Sequence, residues 1–198
     1  MLTAEPELEF PDWEAPIDVA AAIASTPTDV TVKGMFFSMI ERALLQKGLE
    51  INGRHAGFRD YPMVELMRFQ VEACGRLYPH LSQREGLRRL GWSSYETFVQ
   101  SAVGRIVFGN ASRDPMDVAK LAAKGYRHAA SEGDALLHVV ADNHVLLHLT
   151  KVWNFPDAYQ VGAVEGALAH LGYRGEVRVF NIATAEAVLD IRWWPLRD

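Results

Sequence analysis

Cysteine is almost missing from this chain: a lone Cys74 among 198 residues excludes an internal disulfide and any zinc or iron–sulfur site built from several thiolates. Long apolar runs are missing too. No stretch approaches the about 18 residues that a membrane span requires. The N-terminus opens on Glu5, Glu7, Glu9 and Asp12 in place of a basic and then apolar leader, so a cytoplasmic location is expected. Positive charge is not in excess. A net charge of −5 gives no chain-wide footprint for nucleic acid, and no such partner is expected. Gly-x-Ser-x-Gly, His-Glu-x-x-His and a glycine-rich phosphate loop are all absent, which removes the usual signals of acyl transfer, zinc proteolysis and nucleotide binding. What is present, 49% hydrophobic and 23% charged residues, is the composition of a folded domain.

Charge is placed unevenly. Residues 1–32 hold seven acids and no Lys or Arg, leaving a body with 18 acids against 20 bases. An acidic N-terminal arm, 1–32, is therefore expected ahead of a single domain, 33–198. Phe10, Trp13 and Ile17, punctuated by prolines, give the arm apolar points by which to pack on that domain. Within it, Asp18 caps a short helix ending near Ser25.

Apolar spacing is helical over 33–129. Met35 to Leu44, Pro62 to Tyr78, Ser82 to Leu90, Ser93 to Val107 and Asp114 to Tyr126 read as about five helices, with capping boxes at Ser82/Glu85 and Ser93/Glu96. After Gly133 the period changes to two. Leu136–Ala141 and His144–Val152 form a hairpin around Asp142-Asn143, Pro156 starts a helix, and Glu176–Ile182 with Glu186–Trp194 form a second hairpin. The fold class is thus α+β: a helical bundle, then a β-β-α-β-β unit over 134–195 making one four-stranded antiparallel sheet.

Thr31-Val-Lys-Gly-Met-Phe-Phe37, Phe58-Arg-Asp-Tyr-Pro62, Gly104-Arg-Ile-Val-Phe-Gly109 and Phe155-Pro-Asp-Ala-Tyr-Gln-Val-Gly162 resemble a paralogous family, expanded in myxobacteria, known as a domain of unknown function. The resemblance runs from about Ala15 to Trp194. The element order, with Gly162-Ala-Val-Glu-Gly166 in its last helix, is more distantly similar to the fold of haem–nitric-oxide-binding domains, the four-vinyl-reductase domain and the small subunits of the TRAPP tethering complex. That resemblance implies a ligand- or partner-binding module that pairs with a like module. The Tyr-x-Ser-x-Arg triplet of the haem-binding branch is absent and His128 is the one histidine in the relevant region, so no cofactor is expected.

Candidate residues follow from chemistry. Glu165, between Gly162 and Gly166, needs a cation such as Arg105 or Arg178, and Glu165 with Arg105 could polarise a ligand cavity. Cys74 falls on an apolar helix face with Met67 and Val71, where it reads as a core residue, while the resemblance to the TRAPP subunits implies a neighbour of an apolar ligand. His144 and His148 share a strand face but stand about 13 Å apart, too far for one ion. His138 belongs on the opposite face if the turn has two residues, so no metal site is expected. Trp153, Phe155, Tyr159 and Trp194 are the aromatic candidates for an interface. The preferred function is a non-enzymatic signalling or adaptor module that binds a protein partner, forms a homodimer and holds a small apolar ligand. The alternative is an enzyme or carrier acting on a small hydrophobic or tetrapyrrole-like molecule, with Glu165, His138 and Arg105 as its acid–base groups.

Overall fold

The computed structural model describes residues 10–51, 53–100, 114–126 and 129–196. Helix α1 (Val19–Ser25) starts where Asp18 Oδ1 accepts from the Ala21 amide at 2.8 Å, the expected cap. Helices α2 (Met35–Gln46), α3 (Met63–Leu77), α4 (Gln83–Gln100) and α5 (Pro115–Tyr126) follow. Strands β3 (Asp134–Ala141) and β4 (His144–Thr150), helix α6 (Tyr159–His170), and strands β5 (Tyr173–Ala183) and β6 (Glu186–Pro195) complete the chain. The four strands form the expected antiparallel sheet, in the order β3-β4-β6-β5.

Four details depart from the sequence reading. A two-stranded ribbon, β1 (Thr31–Lys33) with β2 (Asp60–Pro62), ties the start of α2 to the start of α3. Helix α4 is continuous where two helices were expected. The Ser82 hydroxyl does accept from the Glu85 amide at 3.1 Å, but the Ser93 and Ser94 hydroxyls sit inside the helix and donate back to the Leu90 carbonyl. Helix α6 begins at Tyr159, because residues 156–158 form a turn. The fourth concerns register: the Asp142-Asn143 turn is present, but a bulge between Val139 and Ala141 sets His138 opposite Leu146. That extra residue reverses the alternation, so His138 shares a face with His144 and His148, against the expectation. Ala102, Val103, Ile106 and Val107, expected in a helix, lie outside the described residues.

Two apolar cores meet at α6. Phe37, Ile40, Leu44, Leu66, Met67 and Leu87 fill the helical core, and Val145, Leu149, Val161, Leu168, Leu189 and Ile191 fill the core between helices and sheet. Helix α6 supplies Tyr159 to the first and Val161 and Leu168 to the second, so it is apolar around most of its girth. The arm belongs to the same body. Ala22, Val30 and Val32 lie in the helical core, the Ser82 hydroxyl donates to the Trp13 carbonyl, and the Arg88 guanidinium lies 4.6 Å from the Trp13 ring centroid. Among the described residues, no helix is long and apolar enough to cross a membrane.

Candidate functional site

Helix α5, helix α6 and one sheet face wall an apolar cleft of about 170 Å³. Its origin lies in side-chain size. Ala119, Ala122 and Ala123 on α5 face Ala163 and Ala167 on α6, while Tyr95, Tyr126 and Trp193 hold the surrounding elements apart. Leu137, Leu147 and Leu189 form the sheet wall, with Val118 and Val164 from the helices. Gln160 is the amide in this lining, and its Nε2 donates to Asn154 Oδ1 at 2.9 Å. Burial, with the Tyr159 hydroxyl nearby, holds the Tyr126 phenol well above the ordinary tyrosine range, so it stays a neutral hydroxyl. The lining therefore excludes charge and offers apolar surface with a few neutral polar groups.

The candidate residues named from sequence that are among the described residues are not gathered there. Glu165 does not take Arg178. Arg88 donates to it twice, Nε to Oε2 at 2.7 Å and Nη2 to Oε1 at 3.0 Å, and also to both Glu85 oxygens at 3.0 Å. Burial alone would lower the Arg88 pKa, but the hydrogen bonds and charges of Glu165 and Glu85 raise it above its usual value. Arg178 instead pairs with Glu176 at 3.1 Å. Arg105 and His128 lie outside the described residues. Glu165 thus braces α6 against α4 on the side facing a broad open groove that also includes Phe10, Trp13, Arg174 and Trp194. That groove is larger, about 800 Å³, but its Arg88 and Glu165 already satisfy each other, so the apolar cleft is the better site. Glu165→Gln is expected to lower stability by about 1–3 kcal/mol in urea titrations, because a bidentate ionic contact becomes a single neutral one. The cleft should be indifferent to that change.

Cys74 is buried against α4, with its Cβ 3.3 Å from where a Cβ on Gly86 would sit, and does not line the cleft. Burial pushes its thiol up to about 12. Since the folded state holds this proton more tightly than the unfolded chain, its contribution is intact below about pH 9 and is lost as pH rises towards 12. Stability is expected to fall by up to about 1.4 kcal/mol per pH unit in that window, and Cys74→Ala should flatten the decline in urea midpoints. The native thiol should resist alkylation at neutral pH.

His138, His144 and His148 all lie on the outer sheet face, away from the cleft. His144 Nε2 meets Asp190 Oδ1 at 2.7 Å and His148 Nε2 meets Glu186 Oε1 at 2.8 Å. No group of three or more His, Cys, Asp or Glu among the described residues could hold a metal ion. Of the aromatic interface candidates, Phe155 and Tyr159 are buried in the helical core and Trp153 packs against it, so they serve the fold. Trp194 is exposed and its neighbour Trp193 buried, as strand alternation requires. The residues that matter to the cleft, Val118, Ala119, Ala163, Val164 and Gln160, escape sequence reasoning because each is ordinary alone. Their signal is the pair of small-residue faces on α5 and α6.

Comparison with known proteins bears on family and fold. A family model described as "Protein of unknown function (DUF2378)" matches residues 26–194, and the chain belongs to that family. No curated protein matches the chain. Among solved structures, an H-NOX protein from S. oneidensis in the Fe(II)NO ligation state is similar with 14% identity and a TM-score of 0.62, covering 82% of this chain and 99% of that one. An Fe(II) unliganded H-NOX protein from K. algicida, 13% identical, covers 82% of this chain and 96% of its own at a TM-score of 0.59. An oxygen-binding H-NOX domain related to soluble guanylate cyclases, 13% identical, covers 83% and 95% at 0.59. The likeness is one of fold, and it bears out the distant resemblance read from element order.

The iron in those proteins poses the question of haem. The described lining of the cleft does not fit one. Among the described residues, no histidine, cysteine or methionine lines it and no Lys or Arg is placed to meet two propionates, and the Tyr126 phenol is held away from the phenolate that iron ligation requires. Its volume also falls below the roughly 300 Å³ at which sites for drug-sized ligands begin.

Proposed function

We propose that this member of the DUF2378 family is a non-catalytic sensory module that holds a small apolar molecule in the α5–α6–sheet cleft and acts as a homodimer on a protein partner. The observation that carries this reading is the cleft itself: about 170 Å³, walled by alanine, valine and leucine. An apolar cavity of about 150 Å³ admits benzene or xenon and excludes water, so this one suits a ligand of that size. The gas complexes of the H-NOX neighbours support the idea that this fold hosts small ligands, with haem set aside for the reasons of fit given above.

Position adds a route for the signal. Gln160, in the cleft wall, bonds to Asn154, which is buried in the crossover from β4 to α6. In that crossover Lys151 and Phe155 both hold positive φ, 54° and 56°, a conformation that costs such residues energy and survives only where packing enforces it. Phe155 then enters the helical core. A ligand that shifts α6 thereby biases a strained segment joined to both cores. The cleft pairs no acid with a base among its described lining residues, which supports binding over chemistry.

Toluene tests the reading as a probe of matching size. Calorimetric titration of the full chain should show saturable one-to-one binding with a negative heat-capacity change. Failure to bind at millimolar concentration would remove the apolar-ligand reading.

A further inference from the structure

The buried hydroxyls of Thr26, Ser94 and Tyr159 are all paired, as burial of a polar group demands. Tyr159 Oη donates to Ser94 Oγ at 2.9 Å, Ser94 Oγ to the Leu90 carbonyl at 2.7 Å, and Thr26 Oγ1 to the Ala22 carbonyl at 2.9 Å. Tyr126, the last residue of α5 and part of the cleft lining, differs. Its side chain packs against the core between helices and sheet and lies on the backbone of Gly133, where a Cβ would stand 2.6 Å from Cε1. The Tyr126 hydroxyl has no hydrogen-bond partner among the described residues. Unpartnered polar atoms that the protein seals off completely belong to Gln70, Gln83, Trp153 and Arg192, and Tyr126 Oη is not one of them. It is deep enough for burial to hold its proton well above the ordinary tyrosine range, yet it opens on free space, and the space its side chain borders is the cleft.

We propose that the molecule held in the cleft carries one uncharged oxygen, a ketone or an alcohol, that accepts a hydrogen bond from Tyr126 Oη, so that this hydroxyl selects oxygenated molecules over hydrocarbons of the same shape. This rests on the apolar-ligand reading above and names the chemistry of its ligand. A phenol that keeps its proton is a constant donor. Lysine, arginine and histidine are absent from the described lining, so a carboxylate or phosphate would meet no counter-charge there. A carbonyl or hydroxyl oxygen is the acceptor that Tyr126 can satisfy without a charge being buried. A hydrocarbon in the same place would leave the tyrosine hydroxyl bare against apolar surface, and a site that hydrogen-bonds its ligand rejects the analogue lacking that atom for this reason.

Cyclohexanone and methylenecyclohexane, which differ only in an oxygen against a CH2 group, test the proposal in calorimetric titrations of the full chain. Tyr126→Phe keeps the ring and removes a hydroxyl that no described residue uses, so the variant should keep its circular dichroism and its affinity for toluene. It should weaken cyclohexanone about tenfold and leave methylenecyclohexane within about twofold. Independently, the infrared carbonyl band of bound cyclohexanone should lie at lower frequency in wild type than in Tyr126→Phe, a shift that a merely structural tyrosine would not produce. Equal loss of both ligands, no loss of the ketone, or a carbonyl band in the same place in both proteins would overturn the hydrogen bond, while toluene binding would leave the cleft reading standing. Failure of toluene, the ketone and the alkene alike to bind at millimolar concentration would overturn both.

Discussion

Gly162→Ala is expected to destabilise the protein by about 3 kcal/mol or more, lowering the melting temperature by roughly 6–12 °C in calorimetry. The expectation runs against helix propensity, which favours alanine over glycine in a helix interior by up to about 1 kcal/mol. Geometry decides otherwise. A Cβ on Gly162 would stand 1.8 Å from the Arg88 carbonyl oxygen, and one on Gly166 would stand 2.2 Å from that of Trp92. From the other side, a Cβ on Gly91 would stand 2.0 Å from the Tyr159 carbonyl oxygen. Helices α4 and α6 therefore touch backbone to backbone, and neither can yield, because α6 is held between two cores and tied to α4 by Arg88–Glu165. Gly75→Ala is the control. It lies inside α3 with nothing within 4 Å of the new methyl, and should raise stability by about 0.5–1 kcal/mol. Equal behaviour of the two variants would mean that α4 and α6 do not meet in this way.

Ala119→Phe is expected to lower toluene affinity by about 100-fold or more with the fold retained. The substitution places a phenyl ring, nearly the ligand itself, inside a cleft with room for about one such ring. Trp194→Ala, in the open groove and outside the cleft, should leave binding unchanged in the same calorimetric titration. If Trp194→Ala abolished binding and Ala119→Phe did not, the site would be the groove.

These two expectations also mark how far the sequence could be read. Helix and hairpin order were legible because periodicity of 3.6 or 2 is a local property, and so were the Asp18 cap, the Asp142-Asn143 turn and the opposite fates of Trp193 and Trp194. The capping box at Ser93 implied a break in the helix after Leu90, where Gly91 stands. In the folded chain the glycine makes room for the Tyr159 carbonyl, a partner 68 positions away, and the helix runs on. The face of His138 was misread because one bulged residue inverts a strand's alternation. Glu165 was recognised as needing a cation, but Arg88, 77 residues distant, could not be chosen over other arginines without the fold. The cleft left the weakest trace of all, since empty space is written only as small residues on helices that meet in three dimensions.

Methyl NMR of the full chain during a toluene titration tests the central claim most directly. Saturable shifts are expected at Val118, Leu137, Leu147, Val164 and Leu189 around the cleft, with Leu66 and Leu87 of the helical core unmoved. Absence of shifts at millimolar toluene, or shifts confined to the neighbourhood of Trp194, would contradict an apolar ligand site between α5, α6 and the sheet.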